Sequence, residues 1–104
     1  MKAQRGEVWL VDFGLAAKVR PALVLSVSYL DHERALFGVV PHTTALRGTR
    51  FETPLKIAWL EVGAFDAQGV RPVPPTVLIR KLGSLPPTDI SRVEEALRRW
   101  FGLV

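Results

Sequence analysis

The hydrophobic period of this chain changes once, and that change restricts the fold more than any other feature. Ahead of Thr88 the apolar residues come in short runs of strand length. From Thr88 onward Ile90, Val93, Leu97, Trp100 and Phe101 fall on one stripe at helical spacing. Pro86-Pro87 stops the preceding chain, and Thr88 or Asp89 is placed to cap the helix. Arg98 and Arg99 suit the negative end of its dipole, and Gly102 is a natural stop.

The strand-like part divides into short pieces. Glu7-Val8-Trp9-Leu10-Val11-Asp12 is rich in β-branched and aromatic residues and reads as a strand. Gly14 and Ala16-Ala17-Lys18 form a turn, after which Pro21 opens a nearly continuous apolar run, Ala22 to Ser28, expected as a strand buried on both faces. Tyr29 to Arg34 is a connector, with Asp31-His32-Glu33 as its exposed turn. Leu36 to Val40 reads as a third strand ending at Pro41, and Ala45 to Thr49 as a loop. Arg50 to Lys56 alternates polar and apolar, and Pro54 marks it as an edge strand. Asp66 to Pro75 holds one glycine and three prolines, too irregular for a regular element; Val77-Leu78-Ile79 is a late strand. About five short strands and one C-terminal helix predict a mostly β fold, a small, strongly bent barrel with the helix packed on it.

At 104 residues the chain is expected to be a single domain over 1–104. Its 48% hydrophobic content excludes a disordered tail, and zero cysteines exclude disulfides, thiolate metal sites and a cysteine nucleophile. No apolar run approaches the ~20 residues of a bilayer span, and Met1 to Gly6 opens no signal-peptide core, so a cytoplasmic domain is expected. The net charge is +4, with the excess in residues 1–50 rather than in the helix, and this favours an anionic partner only weakly.

No metal site is expected, because His32 and His42 stand far apart with no supporting carboxylate cluster. A P-loop, a Gly-rich dinucleotide turn and a G-x-S-x-G element are all absent, and the serines have no triad partner in view. Two segments stand out. In Lys18-Val19-Arg20-Pro21 the proline holds Arg20 extended at the mouth of a buried strand, although a surface arginine at a strand start is an equal reading. Pro41-His42-Thr43-Thr44 places hydroxyls and an imidazole at the exit of another apolar strand, where a polar turn is the competing reading. If the two strands are antiparallel neighbours, Arg20 and Thr43 meet. An arginine and a hydroxyl suffice to stabilise the charge that builds on phosphoryl oxygens when a ribose 2′-hydroxyl attacks its own phosphate. DNA lacks that hydroxyl, so such chemistry selects RNA.

Arg5-Gly6-Glu7-Val8-Trp9-Leu10-Val11-Asp12, Lys18 to Ser26, Val39 to Thr44 and Arg80-Lys81-Leu82-Gly83 with the helix after it together resemble the MazF/PemK family of toxins. The resemblance runs over nearly the whole chain in order. It implies an SH3-like barrel with a C-terminal helix, a homodimer, and metal-independent endoribonuclease cleavage of single-stranded RNA, neutralised by a cognate acidic antitoxin. By position it makes Arg20 and Thr43 catalytic, with Lys18, His42 and Thr44 as RNA contacts beside the phosphate. The family's acidic-Gln pair maps to Asp66 and Gln68, with Arg71 nearby, though the spacing is off by a residue. The sequence departs from the family pattern twice. The gap between the first two strands, Phe13 to Val19, is short, and Arg71-Pro72-Val73-Pro74-Pro75 lacks the usual pattern.

Two other functions remain open at this point. A toxin of the same fold, like the related CcdB toxins, poisons DNA gyrase by binding, through helix residues such as Trp100 and Phe101. Their place on the apolar stripe instead suggests packing in the core or between two copies. A non-catalytic RNA-binding barrel would use Trp9, Phe13 and Phe51 as stacking platforms, although Trp9 and Phe13 also suit a core.

Overall fold

Three strands at the centre of the sheet follow from runs whose alternate residues are all apolar. A computed structural model of the protein describes residues 3–103; Met1 and Lys2, part of the N-terminal segment read above, lie outside the described residues. Strand β1 is Glu7–Asp12, β2 is Val19–Val24 and β3 is Phe37–Thr43, paired antiparallel with β2 between the other two. Side chains alternate across a strand, so each strand feeds two cores. Trp9, Val11, Ala22, Val24, Phe37 and Val39 pack in one cluster, while Val8, Leu23 and Val40 join Phe65, Leu85 and Val93 in the other. Most of these side chains are fully buried, each worth about 1.5–3 kcal/mol of burial for a Val, Leu or Phe.

The remaining strands complete a seven-stranded, mostly antiparallel sheet. Strand β4 (Glu52–Pro54), β5 (Ala64–Asp66), β6 (Arg71–Val73) and β7 (Leu78–Ser84) give the order β4-β5-β3-β2-β1-β7. The free side of β3 is shared: its first half pairs with β6 and its last two residues, His42 and Thr43, with β5. Among the described residues β4 and β7 do not pair with each other, so the sheet bends like a barrel without closing. Helix α1 (Pro87–Phe101) covers the second core with Val93 and Ala96, flanked by Ile90 and Leu97. No helix among the described residues is long and apolar enough to cross a membrane.

Several expectations shift in the structure. The buried β2 ends at Val24, and Val27 and Ser28 are exposed; its start moves back to Val19, so Arg20 lies in the strand rather than before it. Pro21 is tolerated there because the ladder to β3 begins only at Ala22. Strand β3 continues through Pro41 to Thr43, so the segment read alternatively as a polar turn is strand up to its hydroxyl. The edge strand shrinks to Glu52–Pro54, and the region called irregular contains β6 despite Pro72. Strand β7 runs to Ser84: its polar residues sit on an edge that only β1 pairs. Neither Thr88 nor Asp89 caps α1. Pro86 is the N-cap without a side-chain bond and Pro87 starts the helix, where its missing N–H costs nothing, while Gly102 ends it in the left-handed region (φ 67°). Trp100 and Phe101 are 42% and 58% exposed, because the last helical turn runs past the core.

Candidate active site

The register of β2 and β3 brings the two singled-out segments together. Ala22 pairs with Pro41 at the end of that ladder, and Arg20 and Thr43 each stand two residues beyond it. Both are an even number of residues from a paired position, so both side chains leave by the same face. They line one cavity of about 520 Å³ with Arg47, Glu52, Asp66, Gln68, Arg71 and Trp100 among its other walls. Asp66, Gln68 and Arg71, the weaker assignments, are therefore in the same cavity as Arg20 and Thr43.

Hydrogen bonds fix what each group presents. Arg20 Nε donates to the carbonyl of Ala17 at 2.9 Å, which orients the guanidinium, and Arg20 forms no ion pair among the described residues. Thr43 Oγ1 accepts from the N–H of Ala45 at 3.0 Å, leaving its hydroxyl proton to be donated elsewhere. Asp66 accepts from the N–H of Gln68 at 3.1 Å and so holds the short 3-10 turn Ala67–Gly69. Arg71 donates to Gly69 O, and its guanidinium lies over the Phe13 ring, 4.8 Å from the centroid. The short β1–β2 connection is closed tightly: Lys18 N–H donates to Gly14 O and Phe13 N–H to Lys18 O. Lys18 adopts φ 63°, a costly conformation for a non-glycine residue.

His42 leaves β3 by the opposite face from Thr43, and Thr44 follows just past the strand end. With Lys18, Trp59, Glu61 and Arg80 they line a second cavity of about 410 Å³, and Arg20 borders both. The His42 ring is buried and meets Phe65 edge-on at 5.1 Å. Burial pushes its pKa below the usual 6.5, partly opposed by the Glu61 carboxylate, so the imidazole is neutral at pH 7. Gly63 permits this packing, since a Cβ there would stand 2.3 Å from Thr43 O and 2.7 Å from His42 Cε1.

Sequence reasoning missed Arg47, Thr49, Glu52 and Trp100 in the first cavity, and Trp59, Glu61 and Arg80 in the second. Glu52 had a readable signal, since Thr49-Arg50-Phe51-Glu52 has the spacing of a capping box. Its carboxylate accepts from the backbone N–H groups of Arg47, Gly48 and Thr49, and these bonds, that of Arg47 foremost, hold its pKa below the usual carboxylate value. The loop carrying Arg47 is thereby tied to β4. Trp100 reaches the cavity because α1 is anchored at this end. Arg99 donates to Arg50 O at 2.9 Å, and Trp100 meets Phe51 edge-on at 5.2 Å. Trp9 is core, not a platform; Phe13 and Phe51 are half-buried beneath Arg71 and Arg50. Among the described residues no three His, Asp or Glu side chains group to hold a metal ion.

The small bent sheet brings Arg20 and Thr43 to one cavity at the end of its central strands, with three arginines and two carboxylates in its lining. The pattern of PemK-like, MazF-like toxins of type II toxin-antitoxin systems matches residues 4–101, and the chain belongs to that family. Solved structures share the fold. An endoribonuclease in complex with its cognate antitoxin, from a mycobacterial species, is 22% identical with a TM-score of 0.83, covering 98% of this chain and 97% of that one. MazE-MazF from Deinococcus radiodurans (Form-II) is 23% identical with a TM-score of 0.81, covering 100% and 99%. The Mycobacterium tuberculosis toxin MazF-mt6 is 23% identical with a TM-score of 0.79, covering 94% and 98%. The barrel-like β fold with a C-terminal helix agrees with the sequence reading.

Proposed function

We propose that the chain is a toxin endoribonuclease that cuts single-stranded RNA in the cytoplasm without a metal ion. The ribose 2′-oxygen attacks the adjacent phosphorus, the bond to the 5′-oxygen breaks, and the 2′ proton is lost as the leaving oxygen gains one. Arg20 stabilises the charge on the phosphoryl oxygens and Thr43 donates a hydrogen bond to the same oxygens. The observation that carries this reading is that both groups line one cavity, with the Arg20 guanidinium engaged by no carboxylate among the described residues. Arg47, Asp66, Gln68 and Arg71 would hold the strand around that phosphate, with Lys18, His42 and Thr44 on the other side of Arg20. Family membership supports a cognate antitoxin, and the solved complexes named above contain one. An acidic segment suits a cavity holding three arginines. We also infer a homodimer, since a small domain with exposed Ile79, Phe101 and Leu103 gains from covering them.

The test is cleavage of a mixed-sequence RNA in EDTA. The wild-type protein is expected to cut it, and Arg20→Ala to cut it at least about 100-fold more slowly while sedimenting as the same dimer. Cleavage by Arg20→Ala at the wild-type rate would remove Arg20 from the mechanism. Trp100 lines the Arg20–Thr43 cavity, so its exposure suits an RNA contact as well as docking on gyrase; adding gyrase and supercoiled DNA separates the two.

A further inference from the structure

The cavity on the His42 face has a wall that phosphate chemistry alone does not need. Trp59 is 41% exposed, and its ring lies against the backbone of Gly83. A Cβ at position 83 would stand 2.5–2.8 Å from three ring atoms, so the glycine gives the indole a flat seat on β7. Main chain backs the ring on the Gly83 side, and the half-exposed Trp59 lines the cavity. Lys18, Arg20 and Arg80 surround the same space, and none of them forms an ion pair among the described residues. Its volume, about 410 Å³, is in the range of small-ligand sites. An aromatic face beside a cluster of cations is the arrangement that binds a single-stranded nucleotide: the base stacks and the phosphate is neutralised.

We propose that this cavity is a second nucleotide subsite, in which a base of single-stranded RNA stacks on Trp59 while Lys18, Arg20 and Arg80 take its phosphate. The inference rests on the endoribonuclease reading and extends it. Because Arg20 borders both cavities, the strand crosses the end of the sheet over Arg20, with one nucleotide on the Thr43 side and its neighbour on the Trp59 side. Glu61 is the one carboxylate lining this cavity among the described residues, and His42 is neutral there. A carboxylate accepts hydrogen bonds but donates none, so it suits the exocyclic amine of cytosine, adenine or guanine better than the single N3–H of uracil, which two carbonyl oxygens flank.

The experiment measures binding of a short, uncleavable 2′-O-methyl RNA labelled with a fluorophore, alongside intrinsic tryptophan emission. Saturating RNA is expected to quench emission in the wild type and much less in Trp59→Phe. Trp59→Ala is expected to weaken binding about 10- to 100-fold, and Trp59→Phe much less. Gly83→Ala, which unseats the indole without removing it, should weaken binding too, and it tests the site even if Trp59→Ala fails to fold. Glu61→Gln should erase a preference for cytosine over uracil. Wild-type affinity in Trp59→Ala and Gly83→Ala, or equal quenching in Trp59→Phe, would overturn the subsite. Cleavage assays keep the two claims apart. Trp59-dependent binding with no cleavage by the wild type defeats the nuclease reading alone, while cleavage with Trp59-independent binding defeats the subsite alone.

Discussion

The cavity on the Thr43 face holds Arg20, Arg47 and Arg71, and the one on the His42 face holds Lys18, Arg20 and Arg80. Each therefore offers three cations, yet their remaining walls differ. On the Thr43 face two carboxylates are spent on backbone: Glu52 ties the Arg47–Thr49 loop and Asp66 the turn after β5. Such bonds fix the positions of donors, and catalysis of phosphoryl transfer is mostly positioning and charge stabilisation. The His42 face has instead Leu10, Pro21, Leu60 and Leu82 together with the Trp59 indole in its lining. The same number of cations on two sides of one sheet is thus set among different neighbours: anchored loops on one side, apolar and aromatic side chains on the other.

Substitutions that break this division are expected to rank by how directly they touch the phosphate. Arg20→Ala belongs to both cavities and should lower single-turnover cleavage by about 100- to 1,000-fold, with weaker RNA binding as well. Thr43→Val should lower kcat by roughly 10- to 100-fold with KM nearly unchanged. Glu52→Ala frees the loop and should reduce kcat/KM roughly 10-fold through misplaced Arg47, measured beside a urea titration that shows the fold intact. If its effect falls only on stability, the carboxylate has no part in arranging the site. Lys18→Ala and Arg80→Ala should leave kcat alone and flatten the salt dependence of binding, each by about 0.7 in the slope of log K against log salt. The smallest effect concerns His42. Its folded pKa lies below 6.5, so the unfolded chain binds the proton more readily, and stability falls as pH drops from 6.5 towards the folded value. His42→Gln should remove that dependence from thermal melts across this range.

Legibility in the sequence followed locality. The strands β1 and β2 and the helix were readable from apolar runs and period, although β2 begins before Pro21 and β3 runs past Pro41. The Arg20–Thr43 meeting needed only antiparallel neighbours, a short-range inference. Strand β6 escaped because Pro72 weakens the pattern; what forms it is pairing with the far edge of β3. Trp59, Arg80 and Trp100 escaped because each reaches its cavity by tertiary packing: Trp59 on Gly83, Arg80 from an edge strand, Trp100 through Phe51. The helix stripe misled at its last turn, since spacing places Trp100 and Phe101 in line with Val93 but says nothing of where the core ends.

Single-turnover cleavage by Arg20→Lys, Thr43→Val and the double variant probes whether both side chains act on one phosphate. Groups sharing a transition state couple, so the double variant should be far less impaired than the product of the two single losses. Losses that simply multiply would show two independent roles and contradict a shared phosphate.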